Sequence, residues 1–247
     1  DTTDVVIPYV YLNQALSVNV KNGEAAAGTF SSSLISSWNP SSFIVQPVCF
    51  ISKYFVLEAK KDRNSSGVKP GAFIQFADDK SPEYAKACAE AGNVKYVLMP
   101  GGDRLVQKAI YWYFNVLDDL NPSQSLFNSV FKLTSLKTKI TKIMNTHVVN
   151  YNKNLNNDLA KAGLSPTRLS FLRTRFEVSA INTTHADGDC FGLVVKPYGK
   201  TMADFLINPK TEKSLIEEGK NLYHIAHKST QAFDIPDEGE ETSDIPF

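Results

Sequence analysis

The chain has 247 residues, 43% of them hydrophobic, 11% aromatic and 21% charged. That is enough for one large or two small globular domains, with a core that needs no disulfide staples. No run approaches the roughly 18 consecutive apolar residues of a membrane helix, so a soluble protein without a membrane partner is expected. Three cysteines, Cys49, Cys88 and Cys190, are too few and too scattered for a disulfide framework and suit a reducing cytoplasm. Residues 1–20 show neither the basic start nor the apolar run of a signal peptide. Bases and acids balance at 26 each, but six acids (Asp234, Asp237, Glu238, Glu240, Glu241, Asp244) and no base lie in residues 233–247. The other 20 acids face all 26 bases, so a body of net +6 carries a tail of −6. A basic body with a short acidic tail is a charge asymmetry found in nucleic-acid-binding proteins.

In chain order, the first half predicts strands. Residues 5–20 are rich in β-branched and aromatic side chains, with Pro8 placed as at a sheet edge. Residues 22–42 and 62–70, rich in Gly, Ser and Asn, predict loops. Residues 43–61 are apolar and aromatic but contain Pro47, which predicts two strands or one bent one. Short strands are expected at 71–77 and 95–99. Between them, 81–91 predicts a short helix with Ser81 as cap and Pro82 in its first position. Residues 108–117 (KAIYWYFNVL) are the strongest strand candidate.

From Leu126 to Val148 the apolar residues Leu126, Val130, Leu133, Leu136, Ile140, Ile143 and Met144 step by threes and fours. This spacing predicts an amphipathic helix with Lys132, Lys137, Lys139 and Lys142 opposite. Residues 150–163 predict a turn and a short helix. Strands resume at 169–181 and 191–195, split by a turn at 182–189, and 211–232 predict a last helix. The expected architecture is α+β and β-rich: a barrel with helical insertions over residues 1–232, then a disordered acidic tail at 233–247.

Several chemistries lack their sequence signatures. Zinc needs closely spaced Cys/His pairs from two segments; His224 with His227, and His185, Asp187, Asp189 and Cys190, do not supply them. No metal or cofactor is expected. Neither GxxxxGK[ST] nor GxGxxG occurs, and Gly101-Gly102-Asp103 is explained by a turn. No GxSxG elbow is present, and no enzymatic activity is expected.

The strands carry a different pattern. In 108–117, period-two alternation puts Ile110, Trp112, Phe114 and Val116 on a core face and Tyr111, Tyr113 and Asn115 on the other, with Lys108 at the entry. In 172–180, Arg173, Arg175 and Glu177 alternate with apolar residues. In 43–61, the apolar set Val45, Cys49, Ile51, Phe55 and Leu57 leaves Phe50, Tyr54 and Lys60 opposite. Flat rings interleaved with Lys and Arg suit single-stranded nucleic acid, rings for bases and cations for phosphates. The expected contacts are Phe50, Tyr54, Lys60, Lys108, Tyr111, Tyr113, Arg173 and Arg175. The alternative is ordinary packing, with the tyrosines under the inserted helices.

The sequence ends Asp237-Glu-Gly-Glu-Glu-Thr-Ser-Asp-Ile-Pro-Phe247. Apolar residues at the tip of a solvated acidic tail read as a recognition peptide, the Phe ring in a pocket and its carboxylate on a basic residue. In Asp244, Ile245, Pro246 and Phe247, following an acidic run, the chain resembles the bacterial single-stranded DNA-binding protein family. The resemblance covers only the tail, because the body is much longer than that family's core; a phage or mobile-element protein in a bacterial cytoplasm is the expected source. It implies an OB-fold, coating of single-stranded DNA during replication, recombination or repair, and docking of host or phage enzymes on the tip. The runners-up are a strand-annealing recombination protein and a nuclease with a docking tail, for which Asp187 and Asp189 are the local hint. Whether copies associate into a homo-oligomer is left open.

Overall fold

A computed structural model describes residues 7–61, 67–77, 80–91, 94, 96–134, 138–161, 163, 170–185 and 188–228. The chain is α+β and strand-rich. By contacts it divides into two compact units. The larger holds the residues up to Cys49, Trp112–Phe131 and those from Lys139 on; the smaller holds Phe50–Tyr111 and Lys132–Thr138.

Strands β1 (Val10–Leu12) and β2 (Phe30–Ser32) form a two-stranded antiparallel sheet in the larger unit. A helical turn, α1 (Val18–Lys21), stands where the sequence predicts strand. The remaining strands are β3 (Ser42–Lys61), β4 (Val68–Ala77), β5 (Val97–Leu98), β6 (Arg104–Leu117), β7 (Ser125–Thr134), β8 (Phe176–His185) and β9 (Gly188–Pro197). They join in the order β5-β6-β3-β8-β9, with β4 also on β3 and β7 also on β6. No strand pairing closes this sheet among the described residues, so the expected barrel is replaced by an open sheet.

Residues 42–61 form one continuous strand. Along one edge of β3, Ser42–Val45 pair with β8 and Tyr54–Lys61 pair with β4. Pro47 falls between those two registers, where its missing N–H breaks neither ladder.

The expected helix at 126–148 is a strand followed by a helix. β7 occupies its first part, because these residues pair with β6; in addition, Val130 donates its N–H to Pro8 O at 3.1 Å and Ser129 Oγ donates to the same carbonyl at 2.8 Å. Ladder pairing with the preceding strand thus overrides a helical apolar spacing. The helix α3 (Thr138–Lys161) starts later and continues through the expected turn at 150–163. Its residues Met144 and Val148 are buried, and His147 and Tyr151 place their rings 6.3 and 6.2 Å from Phe176 and Phe205. In the same way, β8 and β9 extend to His185 and from Gly188, shortening the expected turn at 182–189. A 3-10 turn (Phe171–Arg173) stands at the start of the strand expected from residue 169.

The helix expected at 81–91 is α2 (Ala85–Glu90), preceded by a turn and without a side-chain cap. Short helix α4 (Met202–Phe205) carries a full capping box, Thr201 with Asp204. Gly199, at φ +74°, makes the turn before it; a Cβ there would sit 2.1 Å from that of Asp204. Helix α5 (Lys213–Lys228) ends the described chain. The turn expected at Gly101-Gly102 is present, both residues having positive φ, and joins β5 to β6. Among the described residues no helix is long and apolar enough to cross a membrane.

In the larger unit an aromatic core links Phe30, Trp38, Phe43, Phe114, Trp112 and Phe127 through ring contacts of 4.7–6.0 Å. A second cluster packs Ile44 and Leu117 against Ile207 and Leu215. In the smaller unit Val56 and Val106 pack against Tyr84, Ala87, Cys88 and Ala91 of α2 and its flanks.

Candidate nucleic-acid interface

The two faces of the smaller unit's strands differ. Register decides which side chains share a face: Tyr54 lies opposite Ala77 and Val56 opposite Gln75. These point toward α2, where Gln75 Nε2 donates to the Tyr84 hydroxyl at 3.0 Å. Tyr54 is half-buried against that core, and the Lys108 amine stands 5.8 Å from its ring centroid. Lys108 and Tyr54 are thus brought together, in the arrangement of a tyrosine beneath an inserted helix.

The opposite face is a ring platform with two lysines on it. Phe55 lies opposite Phe76 and Leu57 opposite Phe73; between them the ladder steps from Gln75 to Phe73, leaving Ile74 as an extra residue in a bulge. The bulge puts Phe73 and Phe76, three apart in sequence, on one face. Ring centroids connect Phe55 to Phe73 at 5.8 Å, to Phe76 at 5.2 Å and to Tyr111 at 6.1 Å, and Phe73 to Phe76 at 5.1 Å. The Lys53 amine stands 5.3 Å from the Phe76 ring and 5.5 Å from Tyr111. The Lys132 amine is 5.1 Å from Phe55. Phe55 and Tyr111 are buried, whereas Phe73 is 40% exposed.

Such cation–π contacts hold an ammonium over the negative face of a ring. Lys53 and Lys132 are both half-buried residues. Partial burial lowers the Lys53 pKa from 10.5 to about 8, since a low-dielectric setting disfavours the charged form. At pH 7 the amine is still mainly protonated.

Several residues expected to contact DNA lie elsewhere. Tyr111 and Tyr113 are 1% and 0% exposed, so the face of β6 expected to be open to bases is buried. The reason is that β6 is covered on both sides from Tyr111 to Leu117. Burial raises the Tyr113 hydroxyl's pKa above its ordinary value. Asn115, on the same expected face, donates to Gln46 Oε1 at 2.7 Å, and Gln46 Nε2 donates to Leu172 O at 2.8 Å.

Arg175 is also buried rather than exposed. It pairs with Glu212 through Nη2, and Nη1 donates to Leu206 O at 2.6 Å while Nε donates to Pro122 O at 3.1 Å. Every guanidinium nitrogen is occupied within the larger unit, and none faces a phosphate. Arg173 is half-buried in the 3-10 turn, its Nε without a hydrogen-bond partner among the described residues. Phe50 is half-buried on β3, and Lys60 is exposed. The Lys60 stem crosses Gly71, where a Cβ would come within 2.9 Å of it. Asp244, Ile245, Pro246 and Phe247 lie outside the described residues, as does Asp187.

The sequence reading missed Lys53, Phe73, Phe76 and Lys132. One signal was available: Lys53 is in phase with Ile51, Phe55 and Leu57, a cation in the apolar register of a strand. Phe73 and Phe76 gave none, because the bulge breaks their alternation. No family model matches the chain, and no curated protein or solved structure matches it.

Proposed function

We propose that the protein binds single-stranded DNA without sequence preference, performs no chemistry on it, and recruits replication or repair enzymes through its acidic C-terminal segment. The observation that carries this reading is the acidic run leading into Asp244-Ile245-Pro246-Phe247. An apolar Ile-Pro-Phe element after an acidic run offers a ring to a pocket that also carries a basic side chain for the acids. The +6 body supports the reading, since polyanion affinity comes largely from phosphate neutralisation. The ring-and-lysine face of the smaller unit supplies both components that a sequence-tolerant single-strand site uses. An OB-fold is no premise of the proposal; an open sheet that displays rings and cations offers the same chemistry. A bacterial cytoplasm with phage or mobile-element origin is the setting that accommodates such a tail on an otherwise different body.

Titration of labelled single-stranded and duplex DNA across salt concentrations tests the binding. The single strand is bound more tightly, with log affinity falling by about 0.7 per neutralised phosphate for each decade of salt. Equal affinity for both DNAs at every salt concentration overturns the reading. The tip is tested with a bacterial enzyme that binds Asp-Ile-Pro-Phe peptides. Capture is lost when Phe247 is removed or when residues are appended after it, while DNA affinity holds.

A further inference from the structure

Helix α5 is held on the larger unit by one face. Leu215, Gly219, Leu222 and Ala226 are buried at steps of four, three and four, the spacing of a helix's inner stripe. Gly219 sets the contact: a Cβ there would come 2.8 Å from Leu172 Cδ2 and 3.2 and 3.3 Å from the two polar atoms of the Gln46 amide. The helix approaches this closely because that side chain is missing, which fixes its rotation about its own axis. The opposite face then carries Lys220, Tyr223, His224 and His227, spaced by threes and fours. All four are exposed, Tyr223 with 42% of its surface in water.

That outer face is a stack already assembled, with a cation beside it. Tyr223 and His227 place their ring centroids 4.0 Å apart, with 31° between the planes. His227 Nδ1 donates to the Tyr223 carbonyl at 2.9 Å, since a carbonyl oxygen can only accept, and this bond holds the imidazole against the phenol ring. His224 meets the same ring edge-on, at 6.0 Å and 82°. Lys220 pairs with Glu217 at 2.8 Å, both side chains about half exposed, a surface pair of small net worth that a phosphate can replace. Residues 219–228 contain no acid. No exposed residue between 220 and 227 is aliphatic, so this face has no ridge for an apolar helix or peptide. It offers flat ring area and positive charge instead.

Resting on the proposed single-strand binding, we infer that α5 carries a base-stacking subsite: a base continues the Tyr223–His227 stack on the ring surface that faces water, and the adjoining phosphate takes Lys220 from Glu217. Two rings already held against each other lose little further freedom when a base joins them, which favours binding. Ring and phosphate are common to all nucleotides, so the subsite reads no sequence. It uses residues of the larger unit alone.

The test uses the full-length protein with Tyr223→Ala, Tyr223→Phe, Lys220→Met and, in the first turn of the same helix, Lys213→Met. Each is titrated with an oligothymidylate across salt, with folding checked by circular dichroism. Tyr223→Ala weakens binding about 5- to 150-fold, the range for one lost base stack, whereas Tyr223→Phe, which keeps the ring, retains the wild-type affinity. Lys220→Met lowers the salt slope by about 0.7, and Lys213→Met changes neither quantity. Irradiation with an oligonucleotide containing 5-iodouracil attaches the base to the peptide that bears Tyr223. If the wild type binds the oligonucleotide but Tyr223→Ala matches it in affinity and that peptide carries no adduct, the subsite is wrong and the proposed function stands. A wild type that does not bind it removes both. If Tyr223→Ala and Lys220→Met lose affinity only for an acidic peptide, the face is a peptide dock and the inference fails.

Discussion

Arg175 in the larger unit and Lys53 in the smaller one are both cations placed within aromatic, strand-rich surroundings, yet their environments differ. Arg175 is 4% exposed and surrounded by acceptors that three separate stretches of chain supply: Pro122 O, Leu206 O and the Glu212 carboxylate. Lys53 is half-buried and stands over ring faces, which attract a cation through their quadrupole. A cation with a complete set of oxygens is part of the fold. One whose burial lowers its pKa is kept charged at a cost in folding free energy.

The largest effect should come from breaking the Arg175 site. Glu212→Ala leaves a buried guanidinium without its counter-charge and should cost about 3–5 kcal/mol in chemical denaturation. It also leaves Ser123 Oγ and the Asn208 N–H without the carboxylate that accepts from them. Where enough folded protein remains, its DNA salt slope should equal that of the wild type.

Lys53 should respond in the opposite sense. Its folded pKa, about 8, lies below the ordinary 10.5, so between these values the unfolded chain holds more protons and stability rises with pH. Below pH 8 the destabilisation is fully present. Lys53→Met should therefore melt higher than the wild type at pH 7, with the gap narrowing as pH climbs from 8 toward 10.5. DNA affinity should fall between pH 7 and 9 as the amine loses its proton, and Lys53→Arg should flatten that fall. A Lys53→Met protein that is less stable at pH 7 would show that the two cations do the same work.

A smaller effect concerns the acidic segment. Deleting Asp234–Phe247 should raise affinity for single-stranded DNA at low salt, because its six acids compete for the lysine face. The gain should vanish near 1 M salt, where screening acts within about 3 Å. The smallest effect belongs to a surface pair: exposed Lys196 lies 3.2 Å from half-buried Glu177, and Lys196→Ala should cost less than about 1 kcal/mol in thermal denaturation.

How far the sequence discloses these differences depends on where the deciding partner sits. The strand at β6 and the long run of β3 are legible because their own side chains specify them. Lys53 is legible by parity within β3. Arg175 is not: its acceptors lie 29 to 53 positions away in sequence, and alternation alone puts it with exposed residues. Tyr111 and Tyr113 mislead for a related reason, since period-two patterning separates two faces without saying that both are covered. The β7 segment shows the same limit, its helical spacing losing to ladder pairing with β6.

The extra residue at Ile74 has a consequence for how this surface would be spelled in another chain. Because the ladder already passes over Ile74 between Gln75 and Phe73, a sequence lacking that one position would run Phe-Gln-Phe in plain alternation. Both rings would still emerge on the side of Phe55. Phe-x-x-Phe with a bulge and Phe-x-Phe without one are therefore two spellings of one surface. A pattern search that fixes the spacing between the rings would treat them as unrelated.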